Sequence, residues 1–250
     1  VAGIQSGDRC LCMGPHRSYQ QEAASKVLPV PEGLPSARAL LARLRGFSMT
    51  TRMTTLARPG DPVLVAGAGL VGFLAAHVFQ AAAYPVLVVE PDPNRQKQMA
   101  DSGSIAVAGH VPLKKPGFAG SVALALECSG HEAAALQACQ SVRMGGEVLL
   151  VGVPWKRQTE LYAHQLLDVV FHRYAVLRSG WEWALPLIDS PFHPHSIFTG
   201  LQTALRWLAD GRVSVPESAF WHVSPKEARE VYQDLLNRRA EGLFTCFDWS

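Results

Sequence analysis

The feature that most constrains the fold is a glycine motif between a buried strand and a helix. Residues 67–72 read Gly-Ala-Gly-Leu-Val-Gly and match the pattern G-x-G-x-x-G. The apolar run 63–66 precedes the motif, and such a run is typical of a strand buried on both faces. An apolar stripe at helical spacing follows it, at Val71, Leu74, Ala75 and Val78. This order predicts the first β-α unit of a parallel sheet.

The alternation of strands and helices continues beyond the motif. Further strands are predicted at 86–89, 105–107, 122–128 and 147–151. A helix is predicted to start near Asn94 and another to cover 135–142, whereas the link between the third and fourth strands is short and proline-rich. Because parallel strands need right-handed crossovers, we expect an α/β fold with a doubly wound parallel (Rossmann) sheet.

The two ends of the chain differ from this central region. Residues 1–36 are short and broken, and residues 37–56 are mainly helical. The basic side chains of this stretch are expected to form a solvated helix face, made of Arg38, Arg43, Arg45 and Arg52. Towards the other end, helices are predicted over 197–208 and 228–235, and a strand over 243–247. Ser224 and Glu227 fit a capping box before the last helix, and we expect this tail to pack on residues 1–36.

The composition is that of a folded protein. Of the 250 residues, 48% are hydrophobic and 18% are charged, and the net charge is +2. These values exclude a disordered chain and argue against a protein that binds nucleic acid by neutralising many phosphates. No membrane span or signal peptide is visible, and the start at Val1 indicates a processed or trimmed product. The five cysteines are unevenly spaced, which predicts free thiols in a cytoplasmic protein.

The glycine motif predicts a dinucleotide site. Gly67 allows the sharp turn, Gly69 lets a diphosphate approach the backbone, and Gly72 lets the helix lie close to the sheet. The amides of Leu70 and Val71, at the start of the helix, would then receive the diphosphate. The alternative is a doubly wound domain with an empty crevice.

Other residues extend this predicted site. Glu90 ends the second strand, where its carboxylate would accept hydrogen bonds from the adenosine ribose and repel a 2′-phosphate, which favours NAD(H) over NADP(H). Arg95 is evidence for NADP(H) instead, since its guanidinium could pair with such a phosphate. Two turns are predicted to lie along the nicotinamide half, Cys128-Ser129-Gly130 and Gly152-Val153. The alternative is that both are ordinary turns that connect a strand to the next element. Cys128 is interpreted as a packing thiol.

The order of several motifs resembles the medium-chain dehydrogenase/reductase superfamily over nearly the whole chain. The motifs are Gly7-Asp8-Arg9 with His16 and Tyr19, Val30–Leu34, Arg58–Asp61, Glu127–Gly130, Met144–Glu147 and the tail 211–243. The resemblance implies either zinc-type alcohol and polyol dehydrogenases or zinc-free reductases of enones and quinones. It also implies a GroES-like β-rich domain, here incomplete, formed by 1–43 and 181–250 around a nucleotide-binding domain at 44–180. Homodimers are common in the superfamily, so we expect one here.

The zinc ligands of the superfamily are not recognisable in this sequence. The region that normally holds the first ligand has no counterpart, and the remaining ligand position aligns with Arg43. A guanidinium cannot ligate Zn²⁺, so we expect no metal site. His193 and His195 are interpreted as residues of a polar loop, because a single H-x-H without a third ligand seldom binds metal.

Candidates for catalysis and substrate binding lie outside the glycine motif. The resemblance places Leu177-Arg178-Ser179 near the nicotinamide. Trp181 and Trp183 alternate as on a strand edge and would either wall a substrate pocket or cover the junction of the domains. The catalytic proton donor is unknown, and its candidates are Ser48, Thr50 and His16.

Two classes of function remain open. The first is an NAD(H)-dependent oxidoreductase that transfers a hydride between the nicotinamide and an alcohol, carbonyl or activated alkene of a small-molecule substrate, without zinc. The second is a non-catalytic NAD(H)-binding module or sensor. A trimmed fragment of a zinc-dependent alcohol dehydrogenase-like enzyme is a further alternative. Neither nucleic acid nor a membrane is expected as a partner.

Overall fold

A six-stranded parallel sheet carries the glycine motif in the computed structural model, which describes residues 3–249. In chain order the strands are β1 (Cys10–Cys12), β2 (Val27–Pro29), β3 (Val63–Ala66), β4 (Val86–Val89), β5 (Ala106–Ala108), β6 (Val122–Glu127), β7 (Val142–Leu150), β8 (Val176–Ser179), β9 (Phe220–Val223) and β10 (Phe244–Phe247). The helices are α1 (Ser36–Leu44), α2 (Gly46–Thr54), α3 (Leu70–Ala81), α4 (Pro93–Asp101), α5 (Glu132–Ser141), α6 (Ala163–Arg173), α7 (Ile197–Ala209) and α8 (Ala228–Leu236). Among these described helices, none has the length and apolarity to cross a membrane.

The strand order of the large sheet creates a switch point at its centre. The order is β5-β4-β3-β6-β7-β8, and every neighbouring pair is parallel. The chain runs from β3 to one edge through β4 and β5, then returns to β6 and proceeds to the other edge. Neighbouring loops after β3 and β6 therefore lead in opposite directions, which opens a crevice beyond the carboxyl ends of these strands. The predicted doubly wound fold is confirmed.

The centre of the sheet is apolar on both faces. Every residue of β3 and β6 is buried, as expected for strands covered by helices. Helix α3 adds eight buried residues, from Gly72 to Phe79, to this core. The cluster around Leu64, Ala125 and Val148 also includes Ala138 and Cys139 of α5. Each large apolar side chain buried in this way contributes about 1.5–3 kcal/mol, so the layered core supplies most of the favourable free energy of folding.

The chain divides into two units. One contains the residues up to Leu44 and those from Leu201 onward, and the other is Arg45–Gly200, with the large sheet. The predicted nucleotide-binding domain is 44–180, so the sheet unit extends further along the chain than this prediction. Residues after Gly180 join the sheet unit because the 3-10 turn Glu182–Ala184 packs on α2, where Thr50 Oγ1 donates to the Glu182 carbonyl oxygen over 3.4 Å.

The smaller unit contains two short sheets and the predicted cap. β1 pairs antiparallel with β2, and β9 pairs parallel with β10. Ser224 Oγ accepts from the Lys226 amide at 3.3 Å, and Glu227 Oε2 accepts from the Ser224 amide at 3.4 Å. This capping box is confirmed, and it starts a 3-10 turn that leads directly into α8.

Some predicted elements need correction. The strand predicted at 147–151 starts earlier, at Val142, a residue predicted to end a helix; Val142 pairs with Val122, and the β6–β7 register is irregular between this pair and that of Leu124. Helix α6 and strand β8 have no counterpart among the predicted elements. The strand-like alternation predicted at Trp181 and Trp183 is wrong, since Trp181 is the N-cap of a 3-10 turn and Trp183 lies within that turn. The solvated basic face is wrong at Arg45, whose side chain is fully buried.

Candidate cofactor site

The glycine turn joins β3 to α3 as the motif predicts. Gly67 has φ of +96°, a region that disfavours side chains. A Cβ on Gly72 would come within 1.9 Å of the Gly67 carbonyl oxygen, so helix and turn approach as closely as only glycine permits. Gly69 is the N-cap of α3 and has no side-chain cap. The first turn of α3, which includes Leu70 and Val71, therefore presents its backbone amides at the switch point without a capping side chain.

The space above Gly69 is open. A Cβ built on Gly69 would meet, among the described residues, only Arg95 Nη1, at 3.9 Å. Gly69 itself has φ of −64°, which any residue adopts, so its glycine is not required by backbone conformation. An uncapped helix N-terminus beside a cation is suited to an anion such as a diphosphate.

Glu90 lies under the glycine turn. Its carboxylate is almost fully buried and accepts from the Ala68 amide at 2.8 Å and from the Asp92 amide at 2.9 Å. Arg95 Nη1 lies 3.9 Å from Glu90 Oε2. A carboxylate has about four acceptor positions, so two amide bonds leave capacity for ribose hydroxyls. Glu90 thus has a structural role that its position in the sequence does not reveal: it holds the glycine turn.

The turns after β6 and β7 lie against each other at the same edge of the sheet. Glu127, buried at the end of β6, accepts from the amides of Ser129 at 2.7 Å and Gly130 at 3.1 Å, and from Ser129 Oγ. A Cβ on Gly152 would lie 2.0 Å from the Gly130 amide nitrogen. The structure therefore brings both predicted turns together. Ser129 also lies beside the glycine turn, 3.2 Å from a Cβ built on Gly67.

Cys128 follows β6 at this edge. Burial, and secondarily the charge of Glu127, raise the pKa of its thiol far above the ordinary value. A Cβ on Gly72 would lie 3.2 Å from Cys128 Cβ, so the thiol side chain packs against the start of α3. This geometry favours the interpretation of Cys128 as a packing thiol.

The segment 177–179 forms the end of β8, and its arginine is engaged within the fold. Arg178 Nη2 lies 3.2 Å from Glu147 Oε2 and donates to Thr54 Oγ1 over 3.3 Å. Glu147 is buried and also accepts from Thr55 Oγ1 at 2.7 Å. This network ties the end of α2 to β7 and β8, and it occupies the Arg178 guanidinium. A role for the backbone of Leu177 and Ser179 beside the nicotinamide stays a prediction.

The catalytic candidates lie in different places. Ser48 and Thr50 are buried on α2, and Ser48 Oγ has no hydrogen-bond partner within residues 3–249. His16 belongs to the smaller unit, where its ring lies 5.6 Å from the ring of Phe247 in an edge-on arrangement. Trp181 and Trp183 are 62% and 61% exposed. Their catalytic and substrate-binding roles stay predictions.

Arg45 is a feature of this region that sequence reasoning missed. It is fully buried, and none of its three side-chain nitrogens has a hydrogen-bond partner within residues 3–249. Burial lowers its pKa to about 9. Burial, together with the charge of Arg45, also lowers the pKa of His77 on α3 to about 4. The position just before α2 carries no pattern that distinguishes a buried arginine from a solvated one.

Comparisons with known proteins bear on this geometry. No family model matches the chain. The L-arabinitol 4-dehydrogenase of Aureobasidium melanogenum is 34% identical over 149 residues, which are 53% of this chain and 39% of that protein. The solved L-idonate 5-dehydrogenase of Escherichia coli has a TM-score of 0.70 at 15% identity, over 90% of this chain and 61% of that one. The resemblance to the medium-chain dehydrogenase/reductase superfamily is confirmed.

Two further facts qualify the likeness to the superfamily. The acetophenone reductase of Geotrichum candidum, solved in complex with NAD, has a TM-score of 0.68 at 12% identity, over 88% of this chain and 58% of that one. At such identity the structural likeness shows the fold. The chain spans about half the length of the curated relatives that it matches.

Proposed function

We propose that this chain is an NAD(H)-dependent oxidoreductase of the medium-chain dehydrogenase/reductase type. The observation that carries the proposal is the uncapped start of α3 at the switch point, under open space and beside Arg95. The relatives are dehydrogenases by name, which supports the reaction class. When bound, the nicotinamide would exchange a hydride with an alcohol, a carbonyl or an activated alkene.

The residues present fit a dinucleotide at this edge. The amides at the start of α3 would bind the diphosphate, and Glu90 would accept from the ribose hydroxyls with its remaining lone pairs. The negative charge of Glu90 would disfavour a 2′-phosphate, which supports a preference for NAD(H). The turns at 128–130 and 152–153 would position the nicotinamide half, since they are packed together by Glu127 and Gly152.

The side chains of residues 3–249 do not favour a catalytic zinc. The ligand position before α2 holds Arg43, which cannot bind a cation. Within the described range 3–249, no group of three His, Cys, Asp or Glu residues is placed to hold a metal ion. We therefore propose hydride transfer without zinc, in which hydroxyl or backbone donors stabilise the developing oxyanion. Stoichiometric zinc in the purified active protein would contradict this.

Replacing Gly69 by alanine tests the cofactor site. The backbone of Gly69 accepts a side chain and the new Cβ meets no atom closer than 3.9 Å, so the fold should be unchanged. The methyl group would occupy the space of the diphosphate, and we expect the affinity for NADH to fall by about tenfold or more, or ~1.4 kcal/mol. Tryptophan-fluorescence titration measures it. The control is Gln233→Ala, at an exposed position on α8 in the smaller unit.

The outcomes of this titration separate the hypotheses. Equal binding of NADH by both variants and the parent protein would remove the cofactor site from the glycine turn. Tighter binding of NADPH than of NADH would contradict the role of Glu90. Binding of NADH without turnover of any alcohol, ketone or enone would make the chain a cofactor-binding module.

A second copy of this chain is the proposed partner. Strand β8 is an edge of the described sheet, and the helix before it exposes Leu167 and Phe171 by 64% and 74%. Tyr174 and Val176 continue this apolar surface. Unpaired edges and exposed apolar patches are common at homodimer interfaces. Light scattering of the parent protein should give a dimer, and Phe171→Glu should give a monomer; a monomeric parent protein would refute the proposal.

A further inference from the structure

A cavity of about 290 Å³ lies between the N-terminal ends of α5 and α6. Its floor is formed by the carboxyl ends of β6 and β7, and its walls are mostly apolar. The lining includes Ala135 and Leu136 of α5, Leu150 of β7, and Leu161, Ala163 and Leu166 at the start of α6. Helix α6 has no fully buried residue, although Leu166 packs against the core cluster. The helix therefore covers this face of the sheet without filling the space beneath it.

Several polar groups around the cavity are already hydrogen-bonded. Glu127, on the floor, accepts from the amides of Ser129 and Gly130. At the rim, Glu132 accepts from the Gln158 amide at 3.0 Å, and the Gly130 carbonyl accepts from Gln158 Nε2 at 3.3 Å. Within residues 3–249, the buried side-chain nitrogens and oxygens without a partner belong to other parts of the chain.

The lining of the cavity determines which class of ligand it favours. A charged or strongly polar ligand would lose much of its hydration against a mostly apolar lining, and an anion would also lie close to the carboxylates of Glu127 and Glu132, which is unfavourable. A neutral apolar ligand would gain contacts with the lining and would leave every existing hydrogen bond intact. A dry cavity of about 150 Å³ takes up benzene, so this cavity has room for about twice that bulk.

We propose that this cavity is a binding site for a small, neutral, apolar molecule of the size of a bicyclic aromatic ring system. No residue of the glycine turn, 67–72, belongs to its described lining. It adjoins the predicted cofactor edge, however, because Gly130 and Gly152 belong both to its lining and to the turns after β6 and β7. A ligand in the cavity would therefore restrain those two turns, and this coupling rests on the proposed function.

Titration with naphthalene tests the site by methyl NMR of the whole chain. We expect saturable shifts of the lining methyl groups, from Ala135, Leu136 and Leu166, and no shift at Val65 in the sheet centre. Ala163→Phe places a ring in the mouth of the cavity and should weaken naphthalene binding by about tenfold or more. The matched control, His164→Phe, lies at an exposed position of the same helix, outside the lining, and should bind as the parent does.

Three results of the titrations would overturn the site, and a fourth is given after them. They are the absence of lining shifts up to the solubility limit of naphthalene, equal binding by Ala163→Phe, and equal affinity for the anion 2-naphthoate. Lining shifts that follow protein concentration and not naphthalene would assign the cavity to a second copy instead, and would also overturn it.

The coupling has its own readout. Saturating naphthalene should change the affinity for NADH by about fivefold or more, in either direction. Unchanged NADH affinity together with saturable lining shifts would refute the coupling and leave the site. Failure to bind NADH at all would refute the proposed function. The naphthalene titration would still test whether the cavity binds a ligand.

Discussion

Replacing Arg45 by methionine should stabilise this protein. A fully buried guanidinium without a hydrogen-bond partner is among the most unfavourable groups that a folded chain can contain. Methionine keeps an unbranched apolar chain of similar length and adapts to irregular space, so it removes the charge and retains most of the packing.

The magnitude follows from the pKa. Burial lowers the pKa of Arg45 to about 9. That drop of roughly 3.5 pKa units, at ~1.36 kcal/mol for each unit, corresponds to roughly 5 kcal/mol for keeping the proton in the folded state at pH 7. Some packing is lost with the guanidinium, so we expect a net gain of about 2–4 kcal/mol. For a chain of this length, this raises the melting temperature by about 5–10 °C.

The sign of the pH dependence is fixed by the same argument. The pKa of Arg45 is lower in the folded than in the unfolded chain, so above pH about 9 the unfolded chain holds the proton that the folded chain has released. The stability of the parent protein should therefore rise with pH in this range relative to the variant. The advantage of Arg45→Met should be largest at pH 7 and smaller at pH 10.

Thermal unfolding followed by circular dichroism at pH 7 and pH 10 measures both effects. Arg229→Met is the control, because Arg229 is exposed on α8 and its replacement should change stability by no more than about 0.5 kcal/mol. An Arg45→Met variant that melts below the parent protein would show that the guanidinium has a favourable partner in solution, and the reasoning would be wrong.

Two further predictions concern buried titratable groups in the sheet unit. Burial and the charge of Arg45 lower the pKa of His77 to about 4. As the pH falls from about 6.5 to 4, the unfolded chain therefore binds a proton that the folded chain does not, and the stability should fall. In urea unfolding, the loss of stability from pH 7 to pH 5 should be smaller for His77→Gln than for the parent protein, and an equal loss would contradict this. Glu147→Gln removes the charge that Arg178 pairs with inside the fold, and should cost about 2–4 kcal/mol in urea unfolding at pH 7, whereas a loss below about 0.5 kcal/mol would show that the network contributes little.

Local patterns in the sequence predict the central β-α-β region well. The runs 63–66 and 86–89 coincide with β3 and β4, and the glycine motif lies where it predicts a turn. These elements are continuous apolar strands and a helix with regular spacing, so short stretches of chain determine them. The patterns are less clear for β8 and α6. In α6 the residues Leu166, Val169 and Val170 pack against the core cluster, but the exposed side chains of Leu167 and Phe171 are apolar too, so the buried face does not stand out in the sequence.

The sequence predicts only some of the contacts that form the candidate site. The spacing from Gly72 to Glu90 predicts an acid near the ribose, but it does not show that the same carboxylate accepts from the Ala68 amide. Nor does spacing show that Gly152 packs against Gly130, since these contacts depend on the register of neighbouring strands. Pairings between distant residues follow from the packing of the whole sheet.

The sequence by itself determined the strand, turn and helix that begin the sheet, because the apolar periodicity and the glycine positions are local. Only the tertiary structure decided that Arg45 is buried without a hydrogen-bond partner among residues 3–249, and that a cavity remains between α5 and α6. Burial and empty volume depend on how the helices pack on a twisted sheet. The sequence pattern of a single helix or strand does not show how well it packs against its neighbours.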